Sequence, residues 1–269
     1  MAAVRRVAFR TGVGVLATGV LGTGVLAVEA EMARRREYVS ADSAPPASGT
    51  VSPGAAPPGT APSGTGSSVR LAVLGDSTAA GLGVTATADT VGAQVAAGLA
   101  TSIARPVVVD GLGVSGARAA DLAPQVSRAL LHRPDVAVVV IGPNDVTHLT
   151  KESAVRSSVA DAVRRLRAAG VAVVVGSCAD MGSATAFRQP LRTVAAWRGR
   201  AIGDAARDAA ESAGALTVDI GAETGPAFRA DPDRFLSSDK FHPSAEGYRL
   251  WAEALLPAVI EASGRVAAS

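Results

Sequence analysis

Two short segments near opposite ends of the chain contain the side chains that serine-based acyl transfer requires. An apolar run at 71–74 leads directly into a Gly-Asp-Ser sequence ending at Ser77, and an Asp-Lys-Phe-His-Pro sequence begins at Asp239. A serine hydroxyl is a weak nucleophile until a neutral imidazole accepts its proton, and a carboxylate fixes the tautomer of that imidazole. Because Asp239 and His242 are only three residues apart, one short segment can present both groups. The sequence therefore predicts a triad of Ser77, His242 and Asp239.

Two further segments contain candidate hydrogen-bond donors for the oxyanion that develops during acyl transfer. They are a Gly-Val-Ser-Gly sequence ending at Gly116 and a Gly-Pro-Asn-Asp sequence that contains Asn144. Each segment taken alone also has a structural interpretation. Ser77 fits a helix cap, Asn144 fits a turn after proline, and His242 fits a solvated loop. The functional interpretation depends on finding all four segments together and in a fitting architecture.

The order of predicted elements provides that architecture. Continuous apolar, β-branched runs indicate strands that are buried on both faces, as in a parallel sheet. These runs lie at 69–74, 106–109, 136–141, 171–175 and 216–220. Helical patterns alternate with them at 90–99, 119–131, 153–169, 191–213 and 244–262. The alternation predicts an α/β class with a doubly wound sheet, in which the loops at the carboxyl ends of strands form the site. Ser77, Gly116 and Asn144 follow the first three predicted strands.

In that order and setting, the four segments resemble the consensus blocks of the SGNH (GDSL-type) hydrolases. The resemblance extends from about residue 69 to the end of the chain, and Thr78 stands where many members have a different residue. It implies a flavodoxin-like three-layer α/β/α sandwich with a central five-stranded parallel sheet. It also implies Ser77 as nucleophile, His242 as general base and Asp239 as its orienting carboxylate. The implied oxyanion hole comprises the Ser77 and Gly116 N–H groups and the Asn144 amide.

Family resemblance further implies esterase, lipase, thioesterase or carbohydrate deacetylase activity. Aromatic residues make up only 3% of the chain, which favours a cleft with aliphatic walls over a platform for sugars. We therefore expect a serine esterase that cleaves short acyl or lipid-derived carboxylic esters through an acyl-enzyme. A carbohydrate O-acetyl esterase of the same fold is the alternative. The sequence predicts neither a metal nor an organic cofactor.

The first 68 residues differ in composition from the remainder of the chain. We divide the chain into a hydrophobic segment with basic flanks (1–40), an Ala/Pro/Gly/Ser-rich disordered linker (41–68) and a hydrolase domain (69–265). The uncharged run at 11–28 predicts an N-terminal membrane-anchoring helix, and a cleaved signal peptide is the alternative. We expect the hydrolase domain to lie outside the cytoplasm, which a cleaved signal peptide requires and an anchor allows. Positive charge on both sides of the run leaves the membrane orientation open.

The composition and charge of the chain limit which other partners and sites we expect. The formal net charge is +2, and the sequence contains no dense block of Lys and Arg, so we do not expect nucleic-acid binding. The oligomeric state stays open. The single cysteine, Cys178, follows a strand-like run and is predicted to be a buried, small apolar residue. We interpret His132 as a helix-end residue, His148 as a bystander and Asp145 as a loop brace, and assign no role to Asp180.

Two functions of other classes compete with the esterase. The stretch 111–116 fits the glycine pattern of a dinucleotide-binding oxidoreductase. That pattern normally opens the first βαβ unit, whereas here it follows the second predicted strand. The other competitor is a tethered, non-catalytic surface-binding module, which has no need for serine, histidine and aspartate together.

Overall fold

The structure is a computed structural model, which describes residues 29, 38–54 and 67–267. The predicted membrane-anchoring run at 11–28 lies outside these residues. In the described part of the chain, no helix combines the length and apolar character needed to cross a membrane.

Strands and helices alternate through the domain, as the sequence pattern predicts. The strands are β1 Gly49–Val51, β2 Val69–Gly75, β3 Val107–Gly111, β4 Val136–Val140, β5 Ala172–Gly176 and β6 Leu216–Val218. The helices are α1 Val91–Ile103, α2 Leu122–Leu131, α3 Pro143–Thr147, α4 Glu152–Ala168, α5 Leu191–Ser212, α6 Ile220–Ala230, α7 Pro232–Phe235 and α8 Ala245–Ala267. The five strands predicted from apolar runs and the five predicted helices are all present. The short α3, α6 and α7 were not predicted.

The strands form one mixed sheet in the order β1-β3-β2-β4-β5-β6. Strands β2 to β6 are parallel, and β1 pairs antiparallel with β3 at the edge. Numbered among themselves, the parallel strands have the doubly wound order 2-1-3-4-5. Their connections diverge between β2 and β4, so a crevice opens at the carboxyl ends of these two strands. In such folds this crevice is where ligands bind.

The prediction of a five-stranded sheet was wrong by one strand, because β1 arises within the segment predicted to be a disordered linker. Gly49 pairs with Val109, and Val51 pairs with Val107. An exposed strand edge offers unpaired backbone N–H and C=O groups, and any residue except proline can pair with them through both backbone groups. The Ala/Pro/Gly/Ser composition of the segment therefore did not reveal this pairing. Of the predicted linker, 41–54 and 67–68 are described.

Both faces of the sheet are covered by helices, which explains why the central strands β4 and β5 are apolar at every position. Along β2, Leu71 and Val73 belong to a core with α1 and α8, whereas Ala72 and Leu74 belong to a core with α2, α4 and α5. Successive side chains of a strand point to opposite faces, so a strand between two helical layers is apolar at every position. The two cores hold the carboxyl ends of β2 and β4 side by side.

Candidate active site

Ser77 lies in the turn that follows β2, and the shape of this turn depends on Gly75. Gly75 has φ of +143°, and a Cβ atom at this position would lie 1.8 Å from the carbonyl oxygen of Val140 on the adjacent strand. Only glycine permits this backbone conformation and approach. After the turn, the Asp76 carboxylate accepts hydrogen bonds from the Thr78 N–H at 2.9 Å and the Thr78 hydroxyl at 2.7 Å. These contacts fix the loop that contains Ser77.

His242 and Asp239 lie in the loop between α7 and α8 and meet Ser77 across 165 residues of sequence. The His242 Nε2 atom is 2.9 Å from Ser77 Oγ, and His242 Nδ1 is 2.6 Å from Asp239 Oδ2. All three residues are buried. The structure therefore assembles the serine, histidine and aspartate that the sequence singled out, in the order that proton transfer requires.

The second carboxylate oxygen of Asp239 closes the loop around the histidine. It accepts hydrogen bonds from the backbone N–H groups of Phe241 and His242, each at 2.9 Å, and from the Ser237 hydroxyl at 2.9 Å. Burial by itself raises the pKa of Asp239, but the hydrogen bonds from His242 and Phe241 and the His242 charge hold that pKa well below its usual range. Asp239 is therefore a carboxylate in the folded protein.

Gly116 and Asn144, which with Ser77 are the predicted oxyanion donors, line the same cleft as Ser77 and His242. Gly116 has φ of +81° in the loop after β3, where no atom lies within 4 Å of the position of a Cβ. The Asn144 amide lies near the start of α3 and donates to the carbonyl oxygen of Ala117 at 3.0 Å. A side-chain amide has two N–H groups, so the second can donate into the cleft.

The cleft has a volume of about 410 Å³ and largely apolar walls. Three aromatic side chains line it, namely Tyr38, Phe187 and Phe241. The Phe241 ring packs edge-on against the other two, with centroid distances of 5.3 Å to Tyr38 and 5.6 Å to Phe187. Aliphatic side chains such as Leu82, Val146 and Leu191 also line the cleft, as expected. The wall is therefore mixed, because an aromatic content of 3% says nothing about where those residues lie. The exposed side chains of Leu149 and Val194 extend the apolar lining outward.

One residue that supports the site was missed from the sequence. Gln125, on α2, is buried, and its side chain bridges the backbone of Gly75. Its Oε1 accepts from the Gly75 N–H at 2.8 Å, and its Nε2 donates to the Gly75 carbonyl at 2.9 Å. A glutamine on the apolar face of a predicted amphipathic helix was the available signal, because a buried amide needs partners for both of its polar atoms.

Two buried carboxyl groups lie behind the site. Burial raises the pKa of Asp76 to about 6, although the hydrogen bonds from Thr78 act in the opposite direction. Burial also raises the pKa of Asp145, whose Oδ2 accepts from the Ala119 N–H at 2.9 Å. Asp145 thus ties the loop after β3 to α3, in agreement with the prediction that it braces a loop. Cys178 is buried nearby, and burial raises the pKa of its thiol.

The other ionisable candidates do not meet the triad. His132 is exposed and lies 3.0 Å from an Asp110 carboxylate oxygen. His148 is exposed, with its Nδ1 2.8 Å from the Asn144 carbonyl oxygen, and Asp180 pairs with Arg229 away from the cleft. Across residues 29, 38–54 and 67–267, no group of three His, Cys, Asp or Glu side chains is arranged to hold a metal ion.

Comparisons with known proteins decide which family this geometry represents. The sequence profile of the GDSL-like lipase/acylhydrolase family matches residues 73–250. The chain belongs to this family. It is also 36% identical over 225 residues to a GDSL-like esterase of Mycobacterium tuberculosis, an alignment covering 83% of this chain and 72% of that protein. The protein is therefore a serine hydrolase of carboxylic esters, with a small-molecule ester as its substrate.

Solved structures agree with this fold at low sequence identity. The lipase/acylhydrolase from Enterococcus faecalis superposes with a TM-score of 0.55 at 20% identity, over 73% of this chain and 96% of that one. The acetylxylan esterase from Geobacillus stearothermophilus gives a TM-score of 0.54 at 20% identity, over the same shares of the two chains. Both superpositions support the α/β fold.

Membership in a family of ester hydrolases argues against the dinucleotide-binding alternative, and local packing explains the glycines of the 111–116 stretch. A Cβ atom on Gly113 would lie 2.5 Å from the Ala80 N atom, in the loop that follows Ser77. This glycine is therefore required where the loop after β3 packs on the loop after β2. The esterase uses the stretch to bring Gly116 beside Ser77 in the cleft.

Proposed function

We propose that Ser77 is the nucleophile of this esterase, His242 its general base and Asp239 the carboxylate that orients the histidine. The observation that carries the proposal is the continuous contact from Ser77 Oγ to His242 Nε2 at 2.9 Å and from His242 Nδ1 to Asp239 Oδ2 at 2.6 Å. With the Nδ1 proton directed at the carboxylate, Nε2 is the free lone pair that faces the hydroxyl.

In the acylation step, Ser77 Oγ attacks the ester carbonyl carbon while its proton passes to His242 Nε2. The resulting oxyanion accepts hydrogen bonds from the backbone N–H groups of Ser77 and Gly116 and from the Asn144 amide. Collapse of the tetrahedral intermediate breaks the bond between the carbonyl carbon and the alkoxy oxygen. The alcohol leaves with the proton that His242 held, and the acyl group remains on Ser77.

In the deacylation step, His242 takes a proton from water, whose oxygen attacks the acyl carbon of the Ser77 ester. Breaking the bond to Oγ releases the carboxylic acid and returns the proton to Ser77. Asp239 stays ionised throughout, because its hydrogen bonds keep its pKa well below the usual range. Its charge stabilises the imidazolium that forms in each step.

We further propose short acyl or lipid-derived esters as substrates. Small-molecule sites in proteins commonly measure about 300–1,000 Å³ and are mostly apolar. The cleft of about 410 Å³ fits that class. Its lining by Phe187, Leu191 and Val194, together with the exposed Leu149, favours an aliphatic acyl chain over a polar acyl group.

A carbohydrate O-acetyl esterase is the second candidate function. The edge-packed Tyr38 and Phe241 rings favour it, since aromatic faces also pack against sugars. An acetylxylan esterase is among the proteins that share the fold. Acetylated xylo-oligosaccharides, assayed for acetate release, distinguish the two candidates. Release faster than that from a p-nitrophenyl acyl ester of six to eight carbons favours the carbohydrate substrate.

The decisive test is hydrolysis of p-nitrophenyl esters from acetate to palmitate by the full chain, beside Ser77→Ala. We expect Ser77→Ala to lower kcat by at least about 10⁴-fold while the melting temperature stays near that of the wild type. A fluorophosphonate should label the wild type and not the variant. If Ser77→Ala retains activity or label, the assignment of the nucleophile is wrong.

We also propose, on sequence alone, that residues 1–40 anchor or export the protein and that the hydrolase domain works outside the cytoplasm. The uncharged run at 11–28 between arginines is the supporting feature. Separately, we propose that the domain has the flavodoxin-like three-layer arrangement, which the strand order supports. Mass spectrometry of the native N-terminus, in membrane and culture-medium fractions, separates an anchor from a cleaved signal. A cytoplasmic, uncleaved protein contradicts both.

A further inference from the structure

Residues 38–51, which we call the strap, lie before the region matched by the family profile and pack against the active site. The chain passes the cleft at Tyr38 and Val39, which both line it. It reaches the end of β3 at Ala47 and then runs antiparallel to β3 as β1. Most of this segment belongs to the predicted disordered linker, so its position at the site is unexpected.

The strap donates a hydrogen bond to the triad carboxylate. The Val39 N–H lies 3.3 Å from Asp239 Oδ2, the same oxygen that lies 2.6 Å from His242 Nδ1. The hydrogen bonds of the other oxygen, Oδ1, all come from the loop of Asp239 itself, from Ser237, Phe241 and His242. Val39 therefore restrains the carboxylate oxygen that holds the imidazole, from a position 200 residues away in sequence.

The strap also supplies part of the cleft wall. The Tyr38 ring packs edge-on against Phe241, with centroids 5.3 Å apart, and Phe241 in turn packs edge-on against the His242 ring at 5.1 Å. Aromatic pairs in this geometry contribute beyond the area that they bury. Tyr38 thus forms one side of the space that an acyl or leaving group must occupy next to His242.

Four contacts fix the strap on the domain. A Cβ atom on Gly111 would lie 2.4 Å from the Ala47 Cβ, so the end of β3 is shaped to let the strap pass. The Gly111 N–H donates to the Ser48 hydroxyl at 3.0 Å, and β1 continues the sheet. The buried Pro45 lies beside Gly81, in the loop that follows Ser77. The strap therefore touches the segments that contain Ser77 and His242.

We propose that the strap places two functional groups in the active site. The Val39 N–H is a positioning donor for Asp239, and the Tyr38 ring is a determinant of substrate specificity. The proposal rests on the proposed function of Ser77, His242 and Asp239. It follows that the region matched by the family profile, 73–250, lacks part of its own active site.

The test uses the full chain and two pairs of variants. Val39→Pro removes the N–H donor, and its control is Ser40→Pro, because Ser40 is exposed and already has φ of −63°, the value that proline adopts. We expect Val39→Pro to lower kcat by about three- to tenfold with KM within twofold, as suits a long hydrogen bond to a charged group. Ser40→Pro should keep the wild-type kcat.

Tyr38→Ala opens the cleft wall, and Tyr38→Phe restores the ring without the hydroxyl. We expect Tyr38→Ala to lower kcat/KM by about tenfold for the preferred p-nitrophenyl ester and to move the acyl chain-length optimum. Tyr38→Phe should return both to wild-type values. A purely structural role would instead lower the melting temperature and leave the chain-length profile of the folded fraction unchanged.

Fluorophosphonate labelling counts the competent sites in each preparation, so kcat is expressed per labelled serine. Wild-type kcat in Val39→Pro together with a wild-type chain-length profile in Tyr38→Ala overturns the strap proposal. If Ser77→Ala abolishes activity in the same series, that failure concerns the strap alone. If Ser77→Ala remains active, the proposed triad itself fails.

Discussion

Gln125→Leu tests whether a buried side chain on α2 fixes the turn before Ser77. The substitution keeps a similar volume and removes both hydrogen bonds between the glutamine amide and the backbone of Gly75. Gly75 is the point at which β2 ends, and its φ of +143° is available only to glycine. The loop with Ser77 begins one residue later. A more mobile Gly75 should therefore lower both the stability and the activity of the protein.

The magnitude follows from the fate of the two Gly75 groups. The carbonyl oxygen keeps a second donor, the Val114 N–H at 3.0 Å, so its loss is that of an ordinary hydrogen bond, about 0.5–1.5 kcal/mol. The Gly75 N–H is left buried beside a leucine, which costs about 1–3 kcal/mol. Together we expect a loss of about 2–4 kcal/mol in the free energy of unfolding. For a domain of this size that lowers the melting temperature by roughly 10 °C.

Urea unfolding followed by circular dichroism measures the stability, and p-nitrophenyl ester hydrolysis per fluorophosphonate-labelled serine measures the site. Gln94→Leu is the matched control. Its amide also donates to two backbone carbonyls, at Asp89 and Ala245, but it is only partly buried, so water can replace it. We expect the control to lose less than about 1 kcal/mol. A Gln125→Leu protein that unfolds within about 0.5 kcal/mol of the control would refute the argument.

Two further predictions concern the oxyanion donor and a buried acid. Asn144→Ala should lower kcat by about 10²–10³-fold with little change in melting temperature. The control His148→Ala, at an exposed residue, should keep the wild-type kcat. An Asn144→Ala protein with activity within tenfold of the wild type would contradict the role of Asn144 as an oxyanion donor. The pKa of Asp76 is about 6 in the folded protein, against an ordinary value of 3.8, so the folded state binds this proton more tightly than the unfolded state. The free energy of unfolding should therefore fall as pH rises from about 4 to 7, by on the order of 3 kcal/mol. Over that pH range, the urea midpoint should fall less in Asp76→Asn than in the wild type. Parallel curves for the two proteins would contradict a raised pKa of Asp76.

The parallel strands and the triad were predictable because each leaves a side-chain signal. A strand between two helical layers must be apolar along its buried length, as β4 and β5 are throughout and β2 is from Leu71 onward. The carboxyl ends of parallel strands lie at one edge of the sheet, so residues following successive strands, such as Ser77 and Asn144, meet there. The start of α6 was missed because its first residue, Ile220, was included in the predicted strand 216–220, although Asp219 caps the helix there.

Several of the groups that were not predicted act through backbone atoms or on them. Gln125 binds the N–H and C=O of Gly75, and Val39 donates its own N–H to Asp239. β1 pairs with β3 through backbone groups that nearly every residue has. Such interactions place few demands on side-chain type, which is why the strap can consist largely of Ala, Pro, Ser and Gly. In this esterase, the sequence therefore predicts the side chains of the triad. The backbone contacts that hold those side chains in place become visible only in the folded structure.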